Sequence, residues 1–172
     1  MPATPIAPAD RTKNIKYAVR DVLAFADEAK ARGLDLLHLN IGDPNIYGFS
    51  PPAAVAEAAV RAIHDNLNGY APSDGTTAAL SAIRGDAEAR GVKAIQHIAI
   101  TSGCSEAIEI ALSALVNAGD RVLVPAPGYP LYTAILAKLD AVAVPYHLDE
   151  ANDWQPDVEE ITGLLALSLI HI

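Results

Sequence analysis

Sulfur and aromatic residues are scarce in this chain: 172 residues carry one cysteine, one methionine, one tryptophan and two phenylalanines. A lone thiol, Cys104, excludes an internal disulfide framework, because each bridge needs two. Basic residues are also few. Twelve Lys and Arg against 21 Asp and Glu leave a formal net charge of −9, which argues against a nucleic-acid partner, since that would require a basic face to displace counterions. The five histidines, His38, His64, His97, His147 and His171, show no paired ligand spacing with cysteines or carboxylates, so no metal site is expected. Apolar runs long enough to span a bilayer are missing, and the proline-rich Met1–Asp10 stretch has neither a basic n-region nor an apolar h-region. The expectation is an acidic cytoplasmic protein with no membrane association. There is no Gly-x-Gly-x-x-Gly, no Walker lysine and no nucleophile elbow, so dinucleotide, ATP and serine-hydrolase chemistries lack their mechanical parts.

What is present is an α/β pattern long enough to bury about 70% of its unfolded surface. Tyr17 to Arg32 has helical periodicity closed by Gly33, and Leu36 to Ile41 reads as an extended segment turned by Gly42-Asp43-Pro44-Asn45. Ser50-Pro51 suggests an N-cap and first helical position, for a helix running to about Asn66. After a loop at Asn68–Gly75, Thr76 to Arg90 reads as a further helix ending at Gly91. Ile98 to Ile100 reads as a short buried strand broken by Ser102 and Gly103, followed by a helix from Ser105 to Asn117 with apolar residues at Ala107, Ile108, Ala111, Leu112 and Leu115. Arg121 to Val124 and Ala141 to Tyr146 then flank a helix from Pro130 to Lys138, an alternation that implies a parallel sheet with right-handed crossovers. A strand feeding a helix start at Ser102–Ser105 is suited to a phosphate. Unpaired amides and the positive end of the helix dipole favour an anion there, and the hydroxyls of Ser102 and Ser105 can add donors.

In this order the segments resemble the N-terminal portion of a class I/II aminotransferase of the pyridoxal-phosphate fold type I superfamily. The resemblance covers roughly residues 13–162. It rests on Ile15-Lys16-Tyr17-Ala18-Val19-Arg20, Leu39-Asn40-Ile41-Gly42-Asp43-Pro44, Gly69-Tyr70-Ala71-Pro72 with Gly75, Ser102-Gly103-Cys104-Ser105-Glu106-Ala107, and Pro125-Ala126-Pro127-Gly128-Tyr129-Pro130. The first two stretches, with Asp149-Glu150 and Asp153-Trp154, look most like the alanine aminotransferase branch. The fold it implies is an incomplete three-layer α/β/α large domain with a mostly parallel sheet, plus an N-terminal arm and small-domain helices. Residues 1–12 would be a flexible arm, 13–45 an N-terminal helix and strand, 46–166 the partial cofactor-binding domain, and 167–172 a non-native tail.

The resemblance also assigns roles. Gly103, Cys104 and Ser105 match the family's phosphate cup for pyridoxal 5'-phosphate, and Tyr129 matches the aromatic that stacks on its ring. Tyr70 matches the tyrosine that reaches the neighbouring subunit's phosphate, which implies a homodimer. Gly42 matches a position beside the substrate carboxylate, and Tyr17 a residue near the substrate. Each has a plainer reading: helix cap, loop packing or turn glycine. Cys104 stands where a smaller residue is common and is read as a loop residue, and Ser81 where relatives commonly carry arginine. The implied reaction moves an amino group between an amino acid, L-alanine among them, and a 2-oxo acid such as 2-oxoglutarate. Carbon–sulfur lyases, cyclopropane-forming synthases and non-catalytic pyridoxal-phosphate-binding domains share the pocket.

No catalytic residue of this family is expected within the chain. The Schiff-base lysine, with its partner asparagine, aspartate and arginine, lies beyond residue 172 in the family, and Lys13, Lys16, Lys30, Lys93 and Lys138 sit in no matching motif. Leu167-Ser168-Leu169-Ile170-His171-Ile172 is what CTG TCT CTT ATA CAC ATC encodes, a string that matches a transposase end used as a sequencing adapter. Genuine sequence is therefore expected to end near Ala166. In the superfamily the Ile98–Ile100 strand pairs with strands from the later half, so here it would lack both neighbours.

Overall fold

The computed structural model describes residues 7–15, 18–40 and 42–166. The predicted Tyr17 site and the tail after Ala166 lie outside the described residues. Two compact units emerge, one from the described parts of Met1–Asn40 and Cys104–Ile172, the other from Ile41–Gly103.

The first unit holds helix α1 (Ala18–Ala31), whose chain leaves through Gly33 at φ +76°. The left-handed turn lets the Leu34 N–H return to the Ala29 carbonyl, satisfying a helix-end acceptor. Leu36 to Asn40 follows without joining a strand.

The centre of this unit is strand β1 (Arg121–Ala126). It pairs in parallel with the longer β2 (Val142–Asp149), with Val122 opposite Ala143 and Val124 opposite Pro145. Helix α5 (Pro130–Lys138) makes the crossover that a parallel pair requires, and its span matches the sequence expectation. Alternation along β1 buries Val122 and Val124 on one face. Against them pack Leu112 and Val116 from the end of helix α4 (Cys104–Leu115) and the loop after it, with Ile135 and Leu136 from α5. Leu136 is the most enclosed, at 1% exposure.

After β2 the chain turns through Glu150–Asn152 into β3 (Gln155–Pro156), antiparallel to the end of β2, and then α6 (Val158–Leu165). The described sheet is thus small and mixed. Asp157 caps α6 by accepting hydrogen bonds from the Glu159 and Glu160 amides at 2.9 and 3.0 Å.

The second unit contains helices α2 (Ala53–His64) and α3 (Thr77–Ala89), neither with a buried residue. Helix α2 starts later than Ser50-Pro51 suggests. Pro51 precedes a second proline, which disfavours helical backbone, and Pro52 itself is extended at ψ 139°, so the helix begins only at Ala53. Thr76, read from the sequence as the first helical residue, is instead the cap of α3, accepting from the Ala79 amide at 3.4 Å.

Ile98 to Ile100 is a correction to the sequence reading: it forms no ladder, and Ile100 is 37% exposed. A strand exists through hydrogen bonds to a neighbour, and no described strand lies beside this one.

Candidate functional site

Helix α4 begins one residue earlier than predicted, so Cys104 and Ser105 are its first two residues and both are exposed. Amides in a helix's first turn have no intrahelical acceptor, and a helix start is therefore an arrangement that suits an anion. The turn into the helix is made by Thr101–Gly103. Gly103 adopts φ +86°, its N–H reaches the Thr101 carbonyl at 2.8 Å, and the Thr101 hydroxyl donates to the Gly103 carbonyl at 2.9 Å. A left-handed residue here is what glycine supplies without penalty, and a Cβ would meet nothing within 4 Å, so the space before the helix is open. The Cys104 thiol is free and exposed.

Tyr129 precedes α5 as its N-cap residue, half exposed at 47%. Its ring meets Tyr132 edge-on, with centroids 6.2 Å apart at 90°. That contact steadies one edge of the ring. The backbone leading to it is tightly wound: the Ala126–Pro127 peptide is cis, and a Cβ on Gly128 would run into the Pro125 carbonyl oxygen.

Ile108, one turn into α4, and Pro125, four residues before Tyr129, line a single apolar cavity of about 520 Å³ with Val124, Tyr146 and Ile161. This is the carboxyl end of β1, where parallel sheets commonly bind ligands.

Gly42 and Tyr70 belong to the second unit. Gly42 lines a shallow concavity with Asp43, Pro44, Tyr47 and Phe49, held by the Asp43 side chain, which accepts from the Asn45 amide at 3.1 Å. The Tyr70 ring is fully exposed. No cluster of metal-ligating side chains occurs among the described residues, and no described helix is long and apolar enough to cross a membrane.

The structure also pairs residues that sequence reading left apart. Glu160 of α6 accepts from the His147 backbone N–H at 2.6 Å and meets the His147 ring Nδ1 at 2.8 Å. The backbone N–H, then the ring, hold the Glu160 carboxyl below its ordinary range, against the weaker opposing pull of burial and Asp157. His97 approaches Asp74 at 3.5 Å. Local spacing cannot reveal either pair, because the partners lie 13 and 23 positions apart.

A parallel β-α-β unit, β1–α5–β2, places the first unit among α/β proteins. The chain belongs to the family "Aminotransferase class I and II", whose sequence model matches residues 35–168. Members of this family depend on pyridoxal 5'-phosphate. Within it, similarity runs to the alanine-type branch. The chain is 38% identical over 161 residues to the glutamate-pyruvate aminotransferase AlaA of Escherichia coli, covering 92% of this chain and 40% of that protein. It is 32% identical over 155 residues to an alanine aminotransferase of Mycobacterium bovis, covering 88% and 36%. Among solved structures, an alanine aminotransferase from Pyrococcus furiosus superposes with a TM-score of 0.83 at 34% identity, covering 91% of this chain and 40% of that one. The chain thus spans about 40% of the length of the relatives it matches. The fold is that of the fold type I aminotransferases, of which the described residues form an α/β part.

Proposed function

We propose that this chain is the N-terminal portion of a homodimeric cytoplasmic aminotransferase that moves an amino group between L-alanine and a 2-oxo acid such as 2-oxoglutarate. The observation that carries the reading is the continuous 38% identity to a glutamate-pyruvate aminotransferase over 92% of the chain. In this proposal residues 46–166 are the cofactor-binding part and 13–45 the interface segment. Gly103, Cys104 and Ser105 hold the cofactor phosphate through first-turn amides and the Ser105 hydroxyl, and Tyr129 lies against the ring. Tyr70 projects to the partner's phosphate, with Gly42 and Tyr17 beside the substrate.

The residues fit such a group: the helix start carries exposed small side chains after an open glycine turn, and Tyr129 is half exposed. Bound pyridoxal phosphate supplies the electron sink for breaking bonds at the amino acid's α-carbon. The chain's own contribution is to anchor the phosphate and orient the ring. Because its five lysines lie outside any matching motif, the chain alone binds without transaminating.

The test extends the reading frame at its source past the Ala166 codon and expresses the product to its natural stop. Pyruvate formed from L-alanine only when 2-oxoglutarate is present supports the proposal. Pyruvate and ammonia released from an amino acid without a 2-oxo acid would replace it with a lyase.

A further inference from the structure

In the second unit, α3 and the loop before it are both tied to the segment that follows α3. From α3, the Arg84 guanidinium donates to the Ile95 carbonyl at 3.1 Å. In the loop, Asp74 is held twice by the same returning segment. Its carbonyl accepts the Ile100 N–H at 2.8 Å, and its carboxylate meets His97 Nε2 at 3.5 Å. Beside it Gly75 sits at φ +118°, and a Cβ there would come within 2.7 Å of Ile100 Cδ1. The missing side chain lets the loop lie directly on Ile100. Asp74 is four residues after the fully exposed Tyr70, and Ile100 is three residues before Gly103.

We propose that Asp74 and His97 are positioning residues that fasten the Tyr70 loop to the segment leading into Gly103, so that both phosphate-contacting stretches are held in register. The inference rests on the cofactor reading above and adds to it a specific fastening. A fully exposed aromatic makes its contact beyond its own unit, so its aim depends on the loop beneath it. The backbone bond at Ile100 fixes the loop at one point. The His97–Asp74 contact supplies the second point that stops it pivoting.

The experiment compares wild type, His97→Ala, Asp74→Ala, Asp74→Asn and Tyr70→Phe in two readouts. Hydrogen exchange of the Ile100 amide and the Gly69–Gly75 amides reports the fastening without any cofactor. Titration with pyridoxal 5'-phosphate, with pyridoxal as the phosphate-free control, reports its consequence. His97→Ala and Asp74→Ala should speed exchange at these amides and leave α3 unchanged. Asp74→Asn, which removes the carboxylate charge from the contact with His97, should behave like Asp74→Ala. Affinity for pyridoxal 5'-phosphate should fall by up to about fivefold, the range for an exposed ion pair, while pyridoxal binding is unaffected. In the Tyr70→Phe background His97→Ala should add nothing further, since residues acting through one another are not additive.

Unchanged exchange at Ile100, a rise spread equally over α3, or additive losses would each overturn the proposal. If wild type binds no pyridoxal 5'-phosphate while exchange responds as expected, the cofactor reading falls and the fastening stands.

Discussion

Gly128 shows how little freedom the turn before Tyr129 has. A Cβ at that position collides with the Pro125 carbonyl oxygen, which is backbone and has no rotamer to retreat into. Gly128→Ala therefore forces β1 and the α5 start apart. Overpacking of this kind costs about 1–3 kcal/mol. The expected result is a corresponding drop in the opening free energy of β1 amides by hydrogen exchange, with the α1 amides unaffected. Gly103 behaves differently: open space surrounds it, and only its φ of +86° argues for glycine. The motif Pro125–Pro130 was legible along the chain. That Gly128 is required by a carbonyl three residues earlier is visible only once the turn is folded.

Helix α6 is fastened to β2 through groups that the chain order keeps apart. The Glu160 carboxylate accepts from both the backbone and the ring of His147, while the Asp157 amide returns to the His147 carbonyl at 3.2 Å. Since folding lowers the Glu160 pKa from 4.5, its contribution is present above that value. It is lost as pH falls through the lowered folded value. Acid titration of α6 exchange should show wild-type protection collapsing below about pH 4.5. In Glu160→Gln protection should be weaker at neutral pH and flat through that window. The α5 span was legible because Pro130 suits the first helical position and the apolar residues after it lead to Lys138. The apolar residues of Ile98–Ile100 read only as a strand, because β structure is a property of a pair; that its neighbours are missing was legible only through the family resemblance, which puts them in the later half.

Buried residues concentrate around β1, α4 and α5, while α2 and α3 contain none. Large apolar side chains remain open across both units: Phe25, Leu37 and Leu39 in the first, Val55, Ile63 and Leu67 in the second. Exposure of this many large apolar side chains favours association. The chain should elute from size-exclusion columns as concentration-dependent oligomers and bind a hydrophobic dye. A cooperatively melting monomer would contradict this. Motif order along the chain was enough to assign the family, since each motif depends on neighbours a few residues apart. The close fit at Gly128 and the His97–Asp74 and His147–Glu160 pairs depend on groups brought together by folding. Such contacts leave no periodic trace, so the folded arrangement was needed to find them.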